Sequence, residues 1–222
     1  GPRLLHSSQW GIIDPVDTPD GGNIGLHKHM SIAAKVTRGC SGKPLVEWLR
    51  LHIDMKLLSE ASTENIANST KVLVNGAWIG TVRHPRAVIE SLKANRRSAL
   101  IPIYTSIRWD IAANEIKIYT DSGRLCRPIF YIDQGIPSYS NQAILEKIDT
   151  NKFTWNQLVA GFGTRKDPQF SVESCRLYNS PLELYNTKTF DSLKASQAIV
   201  EYIDTSEEEA ALVAMNTDDL AL

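Results

Sequence analysis

The stretch Lys71–Val82, KVLVNGAWIGTV, reads as two strands about an Asn75-Gly76 turn. Asn-Gly accepts the two positive φ values that a two-residue hairpin turn needs, and apolar residues flank it on both sides. Immediately downstream, Pro85 is suited to a first helical turn and opens a helix to about Ser98. Val88, Ile89 and Leu92 make its apolar face, and Arg86, Lys93, Arg96 and Arg97 are assigned mostly elsewhere, as a solvated basic face. Upstream, Leu45, Val46, Leu49, Ile53 and Leu57 recur at helical spacing, so 44–58 reads as an amphipathic helix and the polar 60–70 as a linker. Further on, 101–132 reads as a meander: Ile101–Ile111, a turn at Ala112–Asn114, Glu115–Thr120, a turn at Asp121-Ser122-Gly123, then Leu125–Ile132. The pattern predicts an α+β fold of antiparallel hairpins and a meander with a few packed helices, in small consecutive domains.

The flanks are less regular. Pro15, Pro19, Gly21, Gly22 and Gly25 crowd the first thirty residues and predict a stiff, tightly turning loop. Met30 to Val36 reads as a short buried strand, Phe153–Ala160 as a helix, and Asp191–Val200 as a helix with Thr189 or Asp191 near its N-cap. Residues 161–190 show no clear period. Glu207–Glu209 reads as a helix start or an exposed turn, and Ala210–Met215 is ambiguous between helix and strand.

The 222 residues are 42% hydrophobic and 22% charged, which is ordinary for a soluble globular chain and excludes collagenous and disordered classes. No apolar run approaches the roughly 20 residues of a membrane helix. Three distant cysteines, Cys40, Cys126 and Cys175, argue against a disulfide framework and for a reducing compartment rather than secretion. The absent initiator Met suggests a piece of a longer chain. The net charge of −1 conceals an asymmetry, because seven of the 25 acidic residues lie from Glu201 onward, where there is no Lys or Arg. The preceding residues therefore carry a basic excess, which permits contact with nucleic acid without demanding it.

Chemistry-bearing clusters are weak. His27 and His29 with Asp17 or Asp20 lack the spacing of a metal site and read as loop histidines. Asp14, Asp17 and Asp20 fit turn stabilisation better than a metal cage, since Asp beside Pro bonds its own backbone. Gly21–Gly25, GGNIG, lacks both the following Lys-Ser/Thr and the strand–turn–helix context of a phosphate loop. No nucleophile elbow or Cys-His signature is present. The residues by themselves give no catalytic and no metal-binding set.

Four collinear segments add to this reading. His6–Gly25 (HSSQWGIIDPVDTPDGGNIG), Val74–Gly80 (VNGAWIG) followed by His84-Pro85 and Arg96-Arg97, Ile107–Phe130 (IRWDIAANEIKIYTDSGRLCRPIF), and Tyr202–Met215 (YIDTSEEEAALVAM) resemble motifs of the second-largest subunit of multisubunit DNA-directed RNA polymerases. The Tyr-Ile-Asp…Glu-Glu-Glu block is similar to the eukaryotic, archaeal and large-DNA-virus branch. Asp17, Asp20 and Asn23-Ile24 give a mixed wording that resembles a divergent viral enzyme. The likeness covers residues 3–132 and 191–216, whereas 133–190 match poorly.

The resemblance implies that 1–40 end a fork region, 41–128 and 129–203 form two external domains, and 204–222 begin the connection to the hybrid-binding region. It implies transcription of DNA into RNA by nucleotidyl transfer in the assembled enzyme. Mg²⁺ would be held there mainly by the largest subunit, with no catalytic residue in this chain. Arg3, Pro19, Asp20 and Asn23 would lie near nucleic acid. Trp10, Gly11, Gly21, Gly25, Trp78, Gly123 and Arg127 would be structural motif residues, with Trp10 a packing anchor, Trp78 packed beneath its hairpin, and Arg124 and Arg127 in inter-strand or inter-subunit ion pairs rather than ligand contacts. Partners would be the largest and other polymerase subunits, template DNA and nascent RNA, with no membrane. The setting would be intracellular: the nucleus, or virion and host cytoplasm for a viral copy. The alternative is a stand-alone binding module that recruits a transcription factor or partner subunit without catalysis.

Overall fold

The structure is a computed structural model and describes residues 1–140, 142, 145, 146, 154–161 and 197–220. Its centre is the hairpin of β3 (Thr70–Val74) and β4 (Ala77–Val82). Asn75 and Gly76 turn with φ of 49° and 82°, as the Asn-Gly pair requires. β2 (Lys56–Leu57) pairs with the outer edge of β4, and the hairpin of β5 (Ser106–Asp110) and β6 (Glu115–Tyr119) joins on the β3 side. The order is β2-β4-β3-β6-β5, with β3 parallel to β6, so the sheet is mixed rather than wholly antiparallel.

Alternation decides which face is covered. Val72 and Val74 on β3, and Ile116 and Ile118 on β6, are buried, while Lys71, Leu73 and Lys117 between them are partly open. Against the buried face pack α1 (Lys43–His52) through Leu45, Trp48 and Leu49, and α3 (Pro85–Arg97) through Val88 and Leu92. Fully burying a side chain such as Leu92 stabilises the fold by about 1.5–3 kcal/mol.

Several expectations shift. The helix at 44–58 stops at His52, because Asp54 takes a left-handed φ of 53° and Lys56–Leu57 become β2. The linker 60–70 contains α2 (Thr63–Ala67), whose first turn is capped by the Ser62 hydroxyl. Met30–Val36 is not a buried strand: only β1 (Lys35–Val36) is extended in a sheet, Met30 makes a lone bridge to Ile13, and Ile32 is fully exposed. The meander also breaks. Asp121–Arg124 is tied to Thr37, with Thr37 N donating to Arg124 O at 2.8 Å and Gly123 N to Thr37 O at 3.1 Å. The following β7 (Leu125–Phe130) therefore leaves β6 and becomes the centre of a second sheet, β1-β7-β10.

That second sheet joins distant segments. β10 (Val200–Asp204) pairs antiparallel with β7, and all five of its residues are buried. Tyr202, Val200 and Ile199 form a second core with Tyr104, Cys126 and Val159, the last on α4 (Trp155–Ala160). Burial pushes the Cys126 thiol up to about 11, so it stays protonated as a small apolar group. The Asp191–Val200 helix gives way at its described end, where Gln197–Ile199 are irregular and Val200 starts β10; Thr189, Asp191 and Phe153 lie outside the described residues. β8 (Ile132–Asp133) and β9 (Ile136–Pro137) form a small hairpin. Beyond β10, α5 (Thr205–Glu209) ends at Ala210, and 210–215 is neither helix nor strand.

Candidate nucleic-acid interface

The amino-terminal loop is a chain of short turns held by its own polar groups. Asp14 Oδ1 accepts from Val16 N (2.9 Å) and Asp17 N (3.3 Å), fixing the chain around Pro15. Thr18 Oγ1 accepts from Gly25 N at 2.8 Å and closes the stretch between them. At the tip of that stretch, Gly21–Asn23 make one 3₁₀ turn. Gly25 has a φ of +73°, and a Cβ there would lie 2.5 Å from the Arg3 carbonyl oxygen, so the first residues lie directly against the loop's return. Arg3 Nη1 donates to Ile24 O at 2.7 Å, and Lys28 Nζ donates to Pro2 O at 3.1 Å.

This brings Arg3 to the back of the turn that carries Pro19, Asp20 and Asn23, and all four side chains are exposed. Asp20 makes no cap bond to the turn it precedes. The loop thus offers a carboxylate, an amide and a guanidinium on a backbone stiffened by its own turns. The aspartates do not converge: Asp14 is engaged by the turn, and Asp17 faces His29 at 3.9 Å. Among the described residues, no group of three or more His, Cys, Asp or Glu could hold a metal ion.

Two packing expectations change. Trp10 is no anchor within this chain: it ends the Ser7–Gln9 turn and the residue is 56% exposed. Trp78 does not lie beneath its hairpin. Its ring is half-buried beside Lys71, whose Nζ sits 5.3 Å from the ring centroid, and its Nε1 donates to Gly80 O. Gly21 and Gly123 have φ of +86° in open space, which accounts for glycine at both turns. Gly11 and Arg127 meet, because a Cβ on Gly11 would fall 2.5 Å from Arg127 Cδ.

Behind the loop stands a charged brace. The basic face of α3 is solvated only in part: Arg86 is exposed, Lys93 and Arg97 are partly covered, and the Arg96 side chain, 1% exposed, is turned inward. Its guanidinium grips both Glu207 oxygens, at 2.6 and 2.9 Å, and Glu201 Oε2 at 3.0 Å, and donates to Thr105 O. Arg97 donates to both Glu201 oxygens and stacks on Tyr131, with Cζ 3.6 Å from the ring centroid. Burial alone would raise the Glu201 carboxyl; Arg96 and Arg97 more than reverse this and hold it at about 2. Burial likewise acts to lower Arg96, and Glu207 and Glu201 override it, so Arg96 is raised and permanently charged.

Every acid of the Asp204…Glu207–Glu209 block has a basic partner. Asp204 caps α5 by accepting from Glu207 N (2.8 Å), and also accepts from Ser106 Oγ (2.7 Å) and Arg124 Nη1 (2.7 Å). Glu208 accepts from Arg127 at 2.6 and 3.1 Å, and Glu209 accepts from Arg108 at 2.6 Å. Arg124 and Arg127 form ion pairs within the chain, Arg124 with Asp204 on β10 and Arg127 with Glu208 on α5 rather than with a neighbouring strand or another subunit. Arg96, Glu201, Asp204 and Glu207 were not singled out as a site from sequence. Val88, Leu92 and Arg96 follow at four-residue spacing, and that helical phase alone would have placed Arg96 on the buried face.

Fold and site together define an α+β scaffold that presents a stiff polar loop. Family models match three stretches: RNA polymerase Rpb2 domain 3 over residues 1–36, domain 4 over 72–133, and domain 5 over 190–222. Similar proteins include the DNA-directed RNA polymerase II subunit RPB2 of Schizosaccharomyces pombe, 31% identical over 219 residues, which are 99% of this chain and 16% of that protein. RPB2 of Encephalitozoon cuniculi is 31% identical over 220 residues, and RNA polymerase II subunit 2 of Arabidopsis thaliana is 29% identical over 222, each match again covering 99% of this chain and 16% of the relative. The chain belongs to the Rpb2 family, the second-largest subunit of RNA polymerase. It spans 16% of the length of these relatives. Among the described residues no helix is long and apolar enough to cross a membrane.

Proposed function

We propose that this chain serves as scaffold and as part of the active-centre wall, near the RNA–DNA hybrid, in a DNA-directed RNA polymerase. The carrying observation is the likeness to RNA polymerase II subunits along 99% of the chain, with the stiff exposed loop falling inside the first matched domain. The assembled enzyme would transfer nucleotidyl groups to an RNA 3′-hydroxyl. Mg²⁺ would be bound mainly by the largest subunit, and this chain would contribute no metal ligand and no catalytic group. The largest and other subunits, template DNA and nascent RNA would be its partners, in the nucleus, or in virion and host cytoplasm for a viral copy. The layout that fits is a fork end at 1–40, external regions at 41–128 and 129–203, and the start of the connection to the hybrid-binding region at 204–222.

The loop's chemistry supports this role. Asn23 can donate to a phosphate or sugar oxygen, and Arg3, whose guanidinium is exposed, can face phosphate. Asp20 is repelled by phosphate and suits a 2′-hydroxyl or a basic neighbour. In the assembled polymerase on a primed hybrid scaffold with Mg²⁺, Asn23→Ala slows RNA extension more than His84→Ala does. Equal rates would refute the RNA-facing assignment. Pull-down of the native protein with an antibody to 41–203 yields a large assembly that extends RNA, whereas the isolated chain is inert. Recovery of a small, inactive protein would favour the stand-alone module.

A further inference from the structure

Residues 1–34 make all their hydrogen bonds and ion pairs with one another; among the described residues none reaches the rest of the chain. The loop is therefore seated by packing. Gly11, at φ +68°, rests on the Arg127 side chain so closely that a Cβ would lie 2.5 Å from Cδ and 2.9 Å from Nε. The Ser7–Gln9 turn touches α5, and Ile12 beside it is 1% exposed. Arg127 is held from behind, its Nε and Nη2 both donating to Glu208 Oε1. Glu208 Oε2 and Gln9 Oε1 are buried without a partner, so Arg127 is the one donor to the Glu208 carboxylate among the described residues.

We propose that Arg127, clamped by Glu208, is the positioning residue on which the His6–Gly25 loop is seated, so that α5 sets the posture of Pro19, Asp20 and Asn23. Its bearing on transcription rests on the function proposed above. The guanidinium's planar fork fixes the direction of the alkyl stem, and Gly11 meets the end of that stem together with Nε and Cζ of the fork; a lysine keeps stem and charge without the fork. Gly11 is then glycine for two reasons, the left-handed φ and the absence of room for a Cβ.

Hydrogen–deuterium exchange on the whole chain tests this. The amides of Ile13, Asp14 and Ser31, which bond Gln9 O, His29 O and Ile12 O, report the base of the loop; those of Asn75 and Thr120 report the central sheet. In Arg127→Ala the loop amides exchange at least tenfold faster while Asn75 and Thr120 are unchanged. Glu208→Gln gives a smaller change of the same kind, and Arg127→Lys recovers part of the protection. Unchanged loop exchange in both Arg127→Ala and Glu208→Gln overturns the proposal, as does an equal loss at loop and sheet in both variants, which would mark a merely structural pair. RNA extension by the polymerase carrying Arg127→Ala separates the two ideas. Slower extension together with the loop-specific change supports both, whereas the loop-specific change with unaltered extension upholds the seating and refutes the RNA-facing reading.

Discussion

Residues 1–34 and 200–209 are both rich in polar and charged groups, and the molecule treats them in opposite ways. In the first, Arg3, Asp20 and Asn23 stay exposed, and every hydrogen bond among the described residues stays within the segment. In the second, Glu201, Asp204 and Glu207 are buried and paired with arginines and a serine 80 to 111 positions away in sequence. The difference teaches that charge content does not decide exposure. A carboxylate can be buried when a bidentate guanidinium waits for it, and it stays in water where none does.

The sharpest way to break this contrast is Arg96→Met. Removing the cation leaves Glu201 and Glu207 buried without it, and denaturant unfolding should register a loss of about 3–5 kcal/mol. Acid comes next. The Glu201 carboxyl is held at about 2, below its ordinary value of 4.5, so the stability it contributes is fully present above about 4.5 and is lost as pH falls through 2. Acid titration of Glu201→Gln should therefore show a flatter stability profile over that window than the parent chain. Asp204→Ala removes the α5 cap and the acceptor for Ser106 and Arg124; thermal or denaturant melts should show about 2 kcal/mol lost. At the other end, Asp20→Ala and Asn23→Ala change stability by less than about 0.5 kcal/mol in the same melts, since neither side chain is engaged in the fold.

What was legible in the sequence follows the same division between local and distant. The β3–β4 hairpin was readable because Asn75-Gly76 and the flanking alternation act within a dozen residues, and α3 because Pro85 marks its start. The bent loop was readable because Pro and Gly act on their own φ, though the exposure of Trp10 was not: whether an aromatic is covered depends on what lies opposite it. The departure of β7 from the meander depends on Thr37 gripping Asp121–Arg124 from about eighty positions away, which no local pattern announces. The same holds for β10, whose partner β7 is distant in the chain. The inward turn of Arg96 was carried by helical phase but masked by its charge, because a buried arginine makes sense only once Glu201 and Glu207 are known to lie opposite. Of the loop's candidate residues, the backbone geometry was foreseeable from composition; the seat of Gly11 on Arg127 was not, since it joins two motifs through space alone.

The contrast between an open loop and a buried brace is tested most directly by residue-resolved hydrogen exchange on the unmodified chain at neutral pH. The account predicts that Ile107 and Glu207, whose amides bond Glu207 Oε2 and Asp204 Oδ1 inside the brace, exchange only through global unfolding, while Thr18, Ile24 and Leu26 exchange orders of magnitude faster. Similar protection in the two regions, or faster exchange at Ile107 and Glu207 than in the loop, would contradict it.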